Sequence, residues 1–340
     1  MQLKRQGKSV ARTMLHRAGG LRGVRYWNRR GIRILMYHDF PSAPGLLDAL
    51  AIQCAHIARD YEVVSLTNIG RHLREGTWLP KNALAVTVDD GNRDFLLNGY
   101  PVFHAHKIPV TVFLVSGFLD KQLWLWWDQI IYILEESRRS SVRLSLSGGQ
   151  PPVAFPLETA AERQHAILII TEALKALPDE ERTHVIEESL SKLLEVELPR
   201  QPPSRMAPMN WSEVRKLAES GIDFGAHTVT HPVLSRIRDP QGLIFEIERS
   251  KRRIEEELHR SVPHFCYPYG CWEDFNDQTL KVLEQCKFQT AVTAERGLNY
   301  RASHPFLLKR IPVEPMMPDF YFQESLAGLH TRRMPQNALA

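Results

Sequence analysis

Cysteine is scarce in this sequence, and none of it is paired by spacing. Cys54, Cys266, Cys271 and Cys286 are spread over 340 residues without a CxxC. That excludes a disulfide scaffold and agrees with a reducing compartment. No apolar run approaches the roughly 20 residues that span a bilayer. The N-terminus also lacks the apolar stretch of about 7–15 residues of a secretory signal, so a cytoplasmic protein is expected. No Gly-rich loop opens a helix, which argues against a nucleotide-diphosphate site and a glycosyltransferase. No nucleic-acid partner is expected.

Acidic residues are missing from one segment. Between Met1 and Arg33 there are ten Lys or Arg and no Asp or Glu, which leaves 33 basic against 39 acidic residues in the remainder. Residues 1–31 read as a basic N-terminal arm. Three readings stay open for it: an organelle transit segment, an arm resting peripherally on anionic lipid at the inner membrane face, or a solvated tail. Val10, Met14, Ala18 and Leu21 would share one helical face, but Gly19 and Gly20 weaken that helix.

Short apolar runs recur with helix-like segments between them. Strands are expected at Ile32–His38, Tyr61–Ser65, Leu84–Val88, Val110–Val115, Ile222–Ala226, His264–Tyr267, Phe288–Val292 and Phe306–Val313. Their length and their Val, Ile and Leu content suit a parallel sheet or barrel buried on both faces. Amphipathic segments at Leu47–Arg59, Trp211–Ser220, Gly242–His259 and Asp274–Cys286 alternate with them, which is the pattern of an α/β architecture. The alternation breaks at about 118–208, read as a helical insertion. It opens on Trp124, Trp126 and Trp127, continues through a loop at Ser140–Pro156, and ends in helices at Leu157–Leu177 and Asp179–Val196. The second helix presents Val185, Ile186, Leu190, Leu193 and Leu194 on one face. The main domain is expected at 32–315, with a tail at 316–340.

Two motifs carry chemistry. Asp89 and Asp90 follow a strand-like run, and Gly91 permits a tight turn after them. Neighbouring side chains on extended backbone diverge, so the two carboxylates can serve different ends. His227 and His231 follow another strand-like run at a spacing that, on a helical turn, turns both imidazoles to one face. One Asp and two His leave positions open for water and substrate, the donor set of a catalytic zinc site. A second Asp remains to handle a proton.

These stretches resemble the polysaccharide deacetylase (NodB-homology) family of metal-dependent carbohydrate esterases. Thr87–Gly91 matches the family's T-[FV]-D-D-G, His227–His231 its H-[ST]-x-x-H, and Pro268-Tyr269-Gly270 its P-Y-G. The resemblance implies a distorted (β/α)7-8 barrel. It implies Asp89 as general base and Asp90, His227 and His231 as ligands of a divalent metal, usually Zn2+. The backbone N–H of Tyr269 would stabilise an oxyanion. Cys266 stands where many members carry an Arg that tethers the catalytic Asp, and Arg310, grouped with Tyr269 at the oxyanion and substrate side, is a candidate replacement. No late L-x-H motif is found. Leu35-Met36-Tyr37-His38 instead matches the L-x-Y-H of exopolysaccharide-type members, which makes His38 the expected general acid, with His304 next in line. Asp39 and Asp94 are read as supporting or turn residues. The implied activity is removal of N-acetyl groups from an aminosugar or glycan in cell-surface or exopolysaccharide metabolism. The alternatives are a deformylase or deacylase of a lipid-linked sugar and a non-catalytic glycan-binding barrel.

Overall fold

Strands form where the short apolar runs stand. In chain order they are β1 (Arg33–Tyr37), β2 (Glu62–Val63), β3 (Ala83–Val88), β4 (Val110–Leu114), β5 (Ser141–Leu144), β6 (Val153–Pro156), β7 (Asp223–Ala226), β8 (His264–Cys266), β9 (Thr290–Arg296) and β10 (Leu308–Pro312). They come from a computed structural model that describes residues 19–146 and 151–330. The chain forms two compact units, one running to Leu119 and resuming at Pro208, the other Asp120–Ala207.

In the first unit seven strands close a parallel barrel in the order β1-β10-β9-β8-β7-β4-β3, with β3 returning to β1. The two-residue β2 adds to the start of β3. β1, β3 and β4 are buried along their whole length, as strands covered on both faces must be. Leu35, Val86, Val88, Val112, Leu114, Phe265 and Ile311 belong to one apolar core, each such side chain stabilising by roughly 1.5–3 kcal/mol when fully buried. The intervening helices start where side chains cap them. Ser65 accepts from the Asn68 N–H, Asn210 and Glu213 form a reciprocal capping box, and Asn276 accepts from the Thr279 N–H. Such caps contribute about 1 kcal/mol each.

Register decides what meets at the barrel's C-terminal end. Tyr37 pairs with Val88, which brings His38 level with Asp89, and Leu114 pairs with Ala226, which carries His227 to the same rim.

The ends of the barrel unit differ from the sequence expectation. The presumed tail contains the helix Asp319–Ala327, with Phe322 and Leu326 fully buried. The presumed arm contains the helix Gly20–Trp27, and Asn28 Nδ2 donates to the Ala327 carbonyl at 2.9 Å. The reason lies at Arg33. It opens β1 fully buried, and its guanidinium is satisfied by the carbonyls of Leu326, Gly31 and Asn28. Both flanking segments must fold over it, because a buried charge without partners is costly. The arm readings that concern residues 1–18 lie outside the described residues, as do 147–150 and 331–340.

In the second unit, Ile130, Ile133, Leu134, Ile170, Leu174, Ile186, Leu190 and Leu194 form a separate core. Its helices include Trp126–Glu136 and Ala160–Lys175, the latter started by a Thr159–Glu162 capping box. Leu193, expected on the apolar face of the last helix, is 49% exposed. The stretch expected as a loop at Ser140–Pro156 holds an antiparallel hairpin, Ser141 opposite Pro156 and Leu144 opposite Val153. Val142 and Leu144 alternate with exposed neighbours on β5, a period-2 signal obscured by the Ser, Gly and Pro around it. The tryptophans pack inside this unit. Trp124 lies edge-on to Tyr132, Trp126 edge-on to Trp127, and the Arg182 guanidinium sits 4.6 Å from the Trp126 ring centroid.

Candidate active site

Asp89 leaves β3 with its N–H donated to the Tyr37 carbonyl at 3.0 Å. The chain then turns left-handed, with φ of 69° at Asp90 and 83° at Gly91. A Cβ on Gly91 would lie 2.8 Å from Leu114 Cδ2, so glycine is required by space as well as by φ. This turn sends the two carboxylates apart. Asp89 faces β8 and β10, while Asp90 faces the histidines that follow β7.

Asp90 Oδ1 lies 3.5 Å from His227 Nε2 and 3.7 Å from His231 Nε2, and the two Nε2 atoms are 3.2 Å apart. All three residues are buried. His227 Nδ1 donates to the Cys266 carbonyl at 2.7 Å, which fixes the tautomer and leaves the Nε2 lone pair facing Asp90 and His231. Burial, opposed by Asp89, brings the His227 pKa down to about 4. Burial and the neighbouring His227 hold His231 well below its ordinary value. Both imidazoles are therefore neutral at pH 7, the state in which they bind a cation. One carboxylate oxygen and two converging imidazole nitrogens fit a divalent ion such as zinc.

The histidines do not lie on a helical turn as their spacing implied. Thr228 and His231 have φ of 68° and 60°, and the segment is a loop. The Thr228 hydroxyl accepts the His231 N–H at 3.0 Å. Glu246, buried on the following helix, accepts the N–H groups of Val229 and Thr230 at 2.8 and 2.9 Å and the Thr230 hydroxyl at 2.7 Å. Sequence reasoning missed Glu246. It stands in an ordinary Glu- and Arg-rich amphipathic helix, and nothing in that pattern marks it.

Arg310 is buried beneath Asp89. Nη1 donates to Oδ1 at 2.7 Å and Nη2 to Oδ2 at 2.8 Å, while Nε donates to the Thr293 carbonyl at 2.7 Å. Nη2 also lies 3.2 Å from Cys266 Sγ. With its donors spent on these groups Arg310 does not belong on the substrate side; it is a positioning residue. Burial would raise the Asp89 pKa, but Arg310, His38 and His227 outweigh it and hold the carboxyl well below the usual range. Burial keeps the Cys266 thiol protonated.

His38 Nε2 lies 3.5 Å from Asp89 Oδ2, and its side chain is 44% exposed. The loop after it is held by Asp94, whose Oδ2 accepts the Phe40 N–H at 2.6 Å, and by Asn92, whose Nδ2 donates to Asp39 at 3.2 Å. Tyr269 sits at φ 60° in a tight turn closed by the Gly270 N–H on the Pro268 carbonyl. Its ring centroid is 4.9 Å from that of His231. A Cβ on Gly270 would lie 2.6 Å from the Ala294 nitrogen, which explains the glycine of P-Y-G. His304 is elsewhere. The Ala291 N–H donates to the Pro305 carbonyl near the start of β9, which places His304 at the opposite end of the barrel. Asp90, Thr228, His231 and Tyr269 are left-handed non-glycine residues, a conformation costing about 1–3 kcal/mol each that concentrates at functional sites.

Residues 201–291 match the family model described as "Polysaccharide deacetylase". Over this stretch the chain is similar to polysaccharide deacetylases. The match holds the histidine and P-Y-G motifs, while the Asp-Asp-Gly motif lies outside it and is brought to them by the barrel. A curated relative, the putative polysaccharide deacetylase YxkH of Bacillus subtilis (strain 168), is 30% identical over 105 residues. That stretch is 31% of this chain and 36% of the relative, so the chain spans about a third of the length of the curated protein it matches. Among solved structures, the Streptococcus pyogenes deacetylase PplD in complex with acetate aligns with TM-score 0.56 at 18% identity, covering 89% of this chain and 99% of that one. IcaB from Ammonifex degensii aligns with TM-score 0.56 at 17% identity, covering 88% and 97%. At these identities the likeness shows a shared barrel fold.

Proposed function

We propose that the protein is a metal-dependent hydrolase that removes N-acetyl groups from an aminosugar or glycan. The observation that carries the reading is the pairing of Asp89 with His38, Oδ2 to Nε2 at 3.5 Å, beside the Asp90–His227–His231 group. Asp90, His227 and His231 would hold the ion, zinc by the chemistry of its donors. Such an ion supplies Lewis acidity to the amide carbonyl and the attacking water.

The chain's own residues do the rest. Asp89, ionised and held by Arg310, takes the proton of the attacking water on a carboxylate oxygen. The Tyr269 N–H donates to the oxygen on which negative charge develops. His38, on the open side of Asp89, gives a proton from Nε2 to the departing amine nitrogen. Cys266, in place of an Arg, would favour a non-catalytic glycan-binding barrel if Asp89 had no other tether. Arg310 reaches the same carboxylate from β10 and supplies that tether.

The test is metal analysis of the purified protein with a free-amine assay on N-acetylated and N-formylated aminosugar oligomers. Release of amine that needs the bound metal supports the reading, and the acyl preference separates acetyl from formyl. No release from any of them, with metal bound, overturns it. A cytoplasmic place, with the basic residues before Gly19 resting on anionic lipid, belongs to the same proposal. Truncating residues 1–18 is then expected to weaken binding to anionic vesicles without lowering turnover.

A further inference from the structure

A cavity of about 370 Å³ lies away from the catalytic rim, within the usual range for small-molecule sites. It is lined by Arg22 and Arg25 of the helix Gly20–Trp27, by His56, Arg59 and Asp60 at the end of the helix Leu46–Asp60, and by Tyr61. Tyr61 leads directly into β2, and the Arg33 guanidinium at the start of β1 lies 5.1 Å from its ring centroid. The cavity is therefore at the N-terminal end of the barrel, opposite Asp89 and His227.

Its polar groups are mostly donors. Asp60 Oδ2 accepts from Arg25 Nη1 at 2.6 Å and from Arg59 Nη2 at 3.1 Å, so one carboxylate stands between two guanidinium groups. The Arg22 guanidinium has no hydrogen bond or ion pair among the described residues. The other nearby acid is Asp319, which accepts from Gln323 at 2.8 Å. Three arginines thus face two carboxylates, and a positive excess remains.

Arg59 Nη2 is 2.9 Å from His56 Nδ1, and a guanidinium can only donate. Asp60 Oδ2 lies 3.3 Å from the same Nδ1, so that nitrogen meets a donor and an acceptor and either neutral tautomer is served there. His56 Nε2 is buried and has no hydrogen-bond partner among the described residues, while the residue is 6% exposed. A buried polar atom without a partner costs about 1–3 kcal/mol.

We propose that this cavity is a binding site for a phosphate-bearing ligand, held by Arg22, Arg25 and Arg59. Phosphate offers two negative charges and several acceptor oxygens, which arginine forks match by parallel hydrogen bonds. The phosphate can belong to a small soluble molecule or to a lipid headgroup. The site is independent of the hydrolase reading, since none of its residues touches the catalytic group.

The test uses the full chain and two probes. Calorimetry with inorganic phosphate and glucosamine 6-phosphate measures the soluble form. Co-sedimentation with phosphatidate–phosphatidylcholine vesicles, against pure phosphatidylcholine, measures the headgroup. The variant is Arg22→Glu/Arg59→Glu, with Arg22→Gln/Arg59→Gln as the second pair should the charge reversal disturb folding. Saturable binding of either probe, weakened by about tenfold or more in the variant, supports the site and names the source. Binding of neither probe, or binding that both variants leave unchanged, overturns it. The metal content and any turnover of the variants are expected to stay at the parental level, so this result stands or falls apart from the deacetylase assignment.

Discussion

Arg310 and Asp89 form a buried two-point clamp, Nη1–Oδ1 at 2.7 Å and Nη2–Oδ2 at 2.8 Å, between residues 221 positions apart in sequence. The guanidinium comes from β10 and the carboxylate from the end of β3, on either side of β1 in the barrel. The clamp fixes the orientation of Asp89 and keeps it ionised.

Replacing the fork by a point charge tests that clamp. Arg310→Lys keeps a positive charge but cannot make both bonds at once. Turnover is expected to fall about 10²-fold or more, on the scale of general-base contributions, while metal content by atomic absorption is unchanged. Loss of metal, or a rate within a few-fold of the parent, would show that the clamp does not serve the base.

The ligand set is tested by removal. His231→Ala and Asp90→Ala are each expected to leave the protein with little divalent metal after dialysis, whereas Asp89→Asn retains it and loses turnover. Equal metal stoichiometry in the parent and in an Asp90→Ala/His227→Ala double variant is the outcome that excludes this site.

His38 is half exposed, so His38→Ala is expected to fold and to keep its metal. An amide substrate should slow by about 10²–10⁴-fold. An activated aryl acetate, whose leaving group needs no proton, should be nearly spared. Equal slowing of both substrates would make His38 a scaffold group and not an acid.

Glu246 holds the turn between the two histidines without touching either ring in the bonds described. Glu246→Ala is expected to weaken metal affinity by roughly 10–100-fold, as removal of outer-shell partners does. Glu246→Gln, which retains a carbonyl acceptor, should fall between the two. Competition with a chelator, read as the metal remaining bound, gives the order. An unchanged affinity in Glu246→Ala would leave the residue a purely structural role.

Asp94 supplies a pH dependence. Burial, with Asp39 nearby and against the opposing Phe40 N–H, pushes its carboxyl up to about 7 from 3.8. The folded state therefore holds this proton more tightly than the unfolded chain. The associated stability is fully present below about pH 4 and is lost as pH rises through about 7, at roughly 1.4 kcal/mol for each pH unit between those two values. Asp94→Asn keeps an acceptor for the Phe40 N–H and cannot ionise. Its melting temperature should drop less between about pH 5 and pH 8 than that of the parent; an identical drop would show that Asp94 is ionised in the folded protein at both ends of that range.

Each ring strand and each expected helix of the barrel was legible in the linear pattern, because burial on both faces imposes continuous apolar runs and amphipathic helices impose a 3.6 period. The candidate-site residues stand in short motifs, two of which end on the glycines, Gly91 and Gly270, that their tight turns need. The hairpin at Ser141–Pro156 was hidden by its polar neighbours, and the helix Asp319–Ala327 by its place after the last strand.

The sequence alone determined the alternation of strands and helices, the Asp-Asp-Gly and His-x3-His motifs, and His38 beside Tyr37, since these rest on local periodicity and short spacings. Tertiary structure alone decided that Arg310 clamps Asp89, that Glu246 braces the histidine loop, that His304 lies at the other end of the barrel, and that Arg22, Arg59 and His56 share a cavity. Those relationships join residues far apart in the chain. They depend on which strands are neighbours and in what register, and barrel closure sets both.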